Sequence, residues 1–133
     1  MNRVADIREI EANPYWQNHG QRLGDGEPPE VIMEVPPTVL QLYGTAHGGA
    51  IAGLMDSAIA VAVNYELPPD KGAATIELKL NYLRPIKGGT VRAQGQVISR
   101  GKIIVVGEGR IWDEDGELAA IGTATFRVFE RKK

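Results

Sequence analysis

Asp56 is the residue whose setting most needs explaining. It stands inside His47–Glu66, a stretch of twenty residues without proline that is apolar on nearly every helical face. Aspartate is a poor helix-interior residue, because its side chain competes for nearby backbone groups. A lone carboxylate among apolar neighbours is costly unless it is hydrogen-bonded or its pKa is raised. Asp56 is therefore either a structural acid, bonded to backbone or to Ser57, or a functional group. His47-Gly48-Gly49 opens the same stretch. The first N–H groups of a helix have no partner within it and carry the positive end of its dipole. Such an end can receive a carbonyl oxygen or an oxyanion, and Gly48 would let a ligand reach the backbone. The same tripeptide also serves where only a change of chain direction is needed. His47 by itself reads as a hydrogen-bonded structural residue. The only other histidine is His19, and no motif clusters the acids, so no metal is expected.

Gly48 and Asp56 are eight residues apart. On a helix that is roughly 12 Å of rise and about 80° of rotation. One carbonyl cannot touch both groups within one chain. If they serve one reaction, a two-fold pairing of antiparallel helices must bring Gly48 of one chain towards Asp56 of another.

The elements that would hold these residues can be read from pattern. At 20 residues the helix could be mistaken for a membrane span. Asp56 and Ser57 at its centre, and the small residues that thin it, favour a helix buried in a soluble protein. Before it, Val4–Ala12 reads as a short amphipathic helix ended ahead of Pro14, with Tyr15-Trp16 as an anchor where the chain turns. Gly24–Glu30 reads as a turn, and Val31–Val35 as a short strand stopped by Pro36-Pro37. After Pro68-Pro69 the chain is β. Ile76, Leu78, Leu80 and Tyr82 alternate with polar residues, Val91–Val97 continues the period of two, and Ile103–Trp112 and Leu118–Phe129 are β-rich runs. The connectors at 84–89, 99–102 and 113–116 are short, which predicts antiparallel hairpins. Gly95, Gly107, Gly109 and Gly122 fit either bulges or helix contact. The expected fold is α+β, an antiparallel sheet around a central helix over about 47–66, in one domain spanning 1–133.

Composition narrows the class further. Fifteen Lys and Arg against 17 Asp and Glu give a net charge of −2, which argues against a nucleic-acid grip or a polybasic membrane patch. The absence of cysteine excludes disulfides, thiolate catalysis and Cys-ligated metals. No apolar run follows the first residues, so a cytoplasmic protein is expected.

The segment Gln41-Leu-Tyr-Gly-Thr-Ala-His-Gly-Gly-Ala-Ile-Ala-Gly-Leu-Met-Asp-Ser-Ala resembles the signature of hotdog-fold acyl-CoA thioesterases, and is most similar to the phenylacetate-degradation type. The likeness extends through Lys79-Leu-Asn-Tyr-Leu-Arg-Pro to the last strand, covering most of residues 30–130. It implies hydrolysis of an acyl- or aryl-acyl-CoA without a cofactor, by a homodimer with shared sites that assembles as a homotetramer. It assigns the Gly48 N–H to the thioester carbonyl, Gln41 and His47 to that end of the site, and Asp56 of the second subunit to the role of base or nucleophile. Thr75 matches a hydroxyl near the attacking water, and Gly49 and Tyr43 fall on the substrate side. This chain departs from the phenylacetate type in carrying Gln41 where Asn is common. Branches with Gln at that place typically have Glu in place of Asp56.

A thioester is already activated, so polarising its carbonyl and supplying one carboxylate suffices. Coenzyme A carries phosphates, for which Arg84, Lys87, Arg100 and Lys102 on two turns are candidates, although all four also read as ordinary solvated turn residues. Trp112 and Tyr43 are candidates for the acyl pocket or for the core. Two other readings compete. One is a hotdog module that binds an acyl thioester without cleaving it. The other is a dehydratase or hydratase of the same fold, which pairs a histidine with an acid in a layout that His47 beside Gly48 does not match.

Overall fold

The computed structural model describes residues 7–131. Two short helical pieces come first, a 3-10 turn at Glu9–Ala12 and α1 at Pro14–Asn18. Asn13 caps α1 by accepting from the Tyr15 N–H at 2.8 Å, and Pro14 supplies a first helical residue with its φ already set. Of the expected Val4–Ala12 helix, residues 4–6 lie outside the described residues. Trp16 is the buried half of the Tyr15-Trp16 pair, while Tyr15 stays 42% exposed.

Strands β1 (Gln21–Leu23) and β2 (Val31–Glu34) form a hairpin around the 24–30 turn. Helix α2 spans Gly48–Glu66 with His47 as its N-cap. It is followed by β3 (Lys71–Tyr82), β4 (Thr90–Arg100), β5 (Ile104–Trp112) and β6 (Leu118–Glu130). All pairings are antiparallel, in the order β1-β2-β4-β5-β6-β3.

This order corrects one expectation. The links β4–β5 and β5–β6 are hairpins, but residues 83–89 join strands that do not pair. β3 instead pairs with β6 over its whole length and leaves its other side as a sheet edge. A short link can join those distant strands because the sheet curls around α2, which packs against β2 to β6. β1 went unread because three residues, Gln-Arg-Leu, are too few to show a period.

The curl depends on glycine. A Cβ on Gly95 would stand 2.4 Å from the Ala58 carbonyl oxygen of α2, and one on Gly109 2.6 Å from Met55 Sδ. The strand glycines are thus seats for the helix, which settles the choice between bulges and helix contact. The bulges fall elsewhere, around Ile76 in β3, Ile98 in β4 and Ala119 in β6. Leu54, Met55 and Ile59 are fully buried, with Val91, Ile111 and Phe126 facing them from the sheet.

Among the described residues α2 is the one helix long and apolar enough to cross a membrane, and it is the core of this wrapped sheet. Among the described residues one face of α2 is only partly buried. Its buried residues leave a stripe of Gly49, Ala52, Gly53, Asp56, Ala60 and Asn64 between them.

Candidate active site

Asp56 is half-buried on that stripe, between the buried Met55 and Ser57. Its partner comes from β3, where the Thr75 hydroxyl donates to Asp56 Oδ1 at 2.7 Å. The carboxylate is therefore oriented by the strand beside the helix rather than by Ser57. Thr75 directly precedes the bulge at Ile76, where β3 slips its register against β6. A bulge re-aims side chains locally.

Tyr15 approaches the same carboxylate from α1. A Cβ on Gly53 would lie 2.0 Å from the Tyr15 hydroxyl, so Gly53 is the hollow in which that hydroxyl sits. Gly53 and Asp56 are three residues apart and share a helix face. Burial lifts the Tyr15 phenol above its ordinary value, and the Asp56 charge adds to the rise. The ring is held by stacking on His19, with centroids 4.1 Å apart.

At the start of α2, Gly48 is exposed and in the first helical position. Its N–H points outward with no acceptor in the helix. His47 is held by its backbone, whose N–H donates to the Val39 carbonyl at 2.7 Å, and its side chain makes no capping bond. Tyr82 of β3 donates to the Gly48 carbonyl at 2.7 Å, which ties the sheet edge to the helix start. A cavity of about 280 Å³ adjoins Gly48 and is lined by Ala46, Ile51, Tyr82 and Arg84 among others.

Gln41 organises its own loop. Its Oε1 accepts from the Tyr43 N–H at 2.6 Å, and its Nε2 donates to the Thr45 hydroxyl. That tight turn leads into His47 and leaves Tyr43 85% exposed. Gly49 is exposed, and a Cβ there would meet nothing within 4 Å.

The basic residues divide between the two ends of α2. Arg84 lines the Gly48 cavity and faces Asp113 at 3.7 Å. Arg100 faces Glu66, the last residue of α2, at 3.9 Å, and lines a cleft there with Lys102. The ends are 18 residues apart, roughly 27 Å of helix, so one chain does not gather these cations around one ligand. Lys87 is exposed on the 83–89 link. Trp112 lies in a surface cleft with Gln94, Glu108 and Arg110, on the side of β5 opposite the buried Gly109 and Ile111.

Sequence reasoning did not single out Tyr82 as a site residue, and took Tyr15 only as an anchor. Both are brought to the site by tertiary contact. The one local hint was the glycine at position 53, which has no turn or cap to explain it. No group of acids and histidines able to hold a metal is present among the described residues.

The thioesterase superfamily model matches residues 43–120. Among curated proteins, the 1,4-dihydroxy-2-naphthoyl-CoA hydrolase of Listeria monocytogenes is 31% identical over 103 residues, 77% of this chain and 84% of that protein. A Bacillus halodurans protein solved with CoA superposes with a TM-score of 0.82 at 30% identity, covering 95% of this chain and 82% of the other. The PaaI protein of the E. coli phenylacetic acid degradation operon shares the fold, with a TM-score of 0.82 at 24% identity over 91% of this chain and 88% of its own.

Proposed function

This chain belongs to the thioesterase superfamily, and from that premise we propose that it hydrolyses acyl-CoA to the free acid and CoA at a site shared between two subunits. The observation that carries the reading is the oriented Asp56. Thr75 occupies Oδ1, which leaves Oδ2 available to a water molecule. Asp56 takes a proton from that water as it attacks the thioester carbonyl. The carbonyl oxygen gains negative charge and is received by the Gly48 N–H, at the positive end of the α2 dipole. Collapse of the tetrahedral intermediate breaks the C–S bond, and the proton held by Asp56 passes to the departing CoA thiolate. The naphthoyl-CoA hydrolase relative and the CoA-bound structure support a CoA thioester as substrate.

The Gly48 that serves Asp56 belongs to a second copy. Eight residues of helix separate the two groups within a chain, about 12 Å. The position of β3 at the edge of the sheet among the described residues supports pairing of two copies there. That edge offers twelve residues of strand with Ile76 57% exposed, and an uncovered edge of this length is a standing liability in a lone chain. In an antiparallel pair the two ends of α2 face opposite neighbours. Arg84 from one chain and Arg100 and Lys102 from the other could then rim one CoA. Assembly of two such dimers into a tetramer, and a cytoplasmic location, complete the proposal.

Release of free thiol from a panel of aliphatic and aromatic acyl-CoAs tests the reaction. Turnover by the wild-type protein that collapses in Asp56→Asn is expected. Binding of acyl-CoA without thiol release would establish the non-catalytic reading instead.

A further inference from the structure

Helix α1 has only five residues, yet several contacts fix one of its side chains. Asn13 accepts from the Tyr15 N–H, and Trp16 roots the helix in the core. His19 stacks on the Tyr15 ring, and its Nδ1 donates to the Tyr15 carbonyl at 2.9 Å. These contacts hold the ring and leave the phenol oxygen aimed at α2, in the place where a side chain at Gly53 would begin. Among the described residues that oxygen has no hydrogen-bond partner, although the Tyr15 backbone N–H and carbonyl both do. The helix carbonyls beneath it are taken up within α2. Packing explains the ring, then, but not the hydroxyl. Side chains three apart on a helix start about 5–6 Å from each other, so the Tyr15 oxygen faces the Asp56 carboxylate across a gap that one water molecule bridges. Thr75 bonds Asp56 Oδ1 directly, from β3. Burial first, and the Asp56 charge second, keep the phenol in its protonated form.

We propose that Tyr15 positions the attacking water: one O–H of that water donates to Asp56 Oδ2 and the other to the Tyr15 oxygen. The inference rests on the acyl-CoA hydrolase reading and adds a residue that the carboxylate needs. Bonded to Oδ2 alone, the water turns freely about that bond. Held at a second point, it presents a lone pair to the thioester carbonyl carbon, and such orientation is part of what lowers a barrier. A neutral phenol suits the task, because it accepts through its lone pairs and brings no second negative charge beside Asp56. In the step itself the water oxygen bonds to the carbonyl carbon and Asp56 takes the first proton. The second proton stays on the water oxygen throughout, leaves the Tyr15 oxygen, and ends as the hydroxyl hydrogen of the acid. Gly53 belongs to the same device, since any larger residue there would occupy the place of the phenol oxygen.

The test is a double-mutant cycle on Tyr15 and Gly53, read by thiol release from the best acyl-CoA of the panel, with circular dichroism as the check on folding. Tyr15→Phe keeps the ring against His19 and removes the oxygen. It should lower kcat roughly 10-fold, the effect of one lost hydrogen bond, and leave KM unchanged because the thioester itself loses no contact. Gly53→Ala puts a methyl where the oxygen stands, so it should displace the hydroxyl and lower kcat by a similar factor. Once the oxygen is gone the nearest ring atom is 3.3 Å from that methyl, which a small shift of the ring relieves. Adding Gly53→Ala to Tyr15→Phe should therefore cost less than about twofold more, since both changes remove the same contact. Wild-type kcat in folded Tyr15→Phe, a loss carried by KM alone, or losses that multiply in the double variant would each overturn the role of Tyr15 and leave the hydrolase reading intact. If Tyr15→Phe does not fold, Gly53→Ala decides, and wild-type kcat there overturns the role equally. A wild-type protein silent on every acyl-CoA overturns both.

Discussion

At the scale of single residues, the site depends on how few groups handle charge. Thr75 gives its only hydroxyl proton to Asp56, so the carboxylate keeps one fixed and one free oxygen. Asp56→Asn preserves size and removes the proton acceptor. It should lower kcat by roughly 10² to 10⁴ with the fold intact, measured by thiol release alongside circular dichroism. Thr75→Val should cost less, roughly 10-fold to 100-fold, because it removes one hydrogen bond to a charged group. A larger loss in Thr75→Val than in Asp56→Asn would reverse these roles. Asp56 and Gly48 stand out in the sequence as candidates because each breaks a local rule, an acid in an apolar helix and a glycine pair at a helix start. Tyr82 does not, since a tyrosine in an alternating strand carries no sign that its hydroxyl reaches a helix start 34 residues earlier. Gln41 was singled out only through the family resemblance, and its engagement with Tyr43 and Thr45 could not be read ahead, because it depends on the turn's own hydrogen bonds.

At the scale of elements, α2 was readable almost to the residue because an unbroken apolar run bounded by His-Gly-Gly and Pro-Pro leaves little else. The strands were readable by period, but their order was not. Connector length reports which strands could pair, and the 83–89 link crosses between unpaired strands because the sheet closes around the helix. Gly95 is where that closure is tightest. In Gly95→Ala the new Cβ falls 2.4 Å from backbone oxygen, which cannot rotate away as a side chain can. The variant should lose about 1–3 kcal/mol by overpacking. Thermal denaturation checks this, and an unchanged midpoint would show that helix and sheet can separate at no cost. Helix α1 offers a pH test. Its Tyr15 phenol is raised above the usual 10 by burial first and by Asp56 second. A group whose folded pKa exceeds its unfolded value contributes stability below the unfolded value and loses it as pH rises through the folded one. Stability should therefore fall above about pH 10 in the wild-type protein and less steeply in Tyr15→Phe. Equal slopes in denaturant titrations would remove Tyr15 from that balance.

At the scale of the whole molecule, the question is where the second half of the site comes from. Gly48 and Asp56 are fixed on one rigid helix, so no side-chain motion closes the roughly 12 Å between them. The proposed answer is a second copy, and mixing two inactive proteins tests it. Asp56→Ala removes the carboxylate. Gly48→Pro removes the N–H, and the fold is built to accept it. His47 already has φ −55 and ψ 138, the extended conformation that a residue before proline requires. Position 48 is the first helical residue, and a Cβ there would touch the Tyr82 hydroxyl at an ordinary 3.4 Å. Each variant alone should be inactive. Refolded together in equal amounts, random pairing makes about half of the dimers mixed. In a mixed dimer one site carries both lesions and the other carries neither. Activity should then return to about a quarter of the wild-type level, because half the dimers hold one intact site of two. If each site were built within one chain, every site would keep a lesion and the mixture would stay inactive. Mass spectrometry showing mixed dimers without recovered thiol release would therefore refute the shared site, and with it the pairing of Gly48 with Asp56.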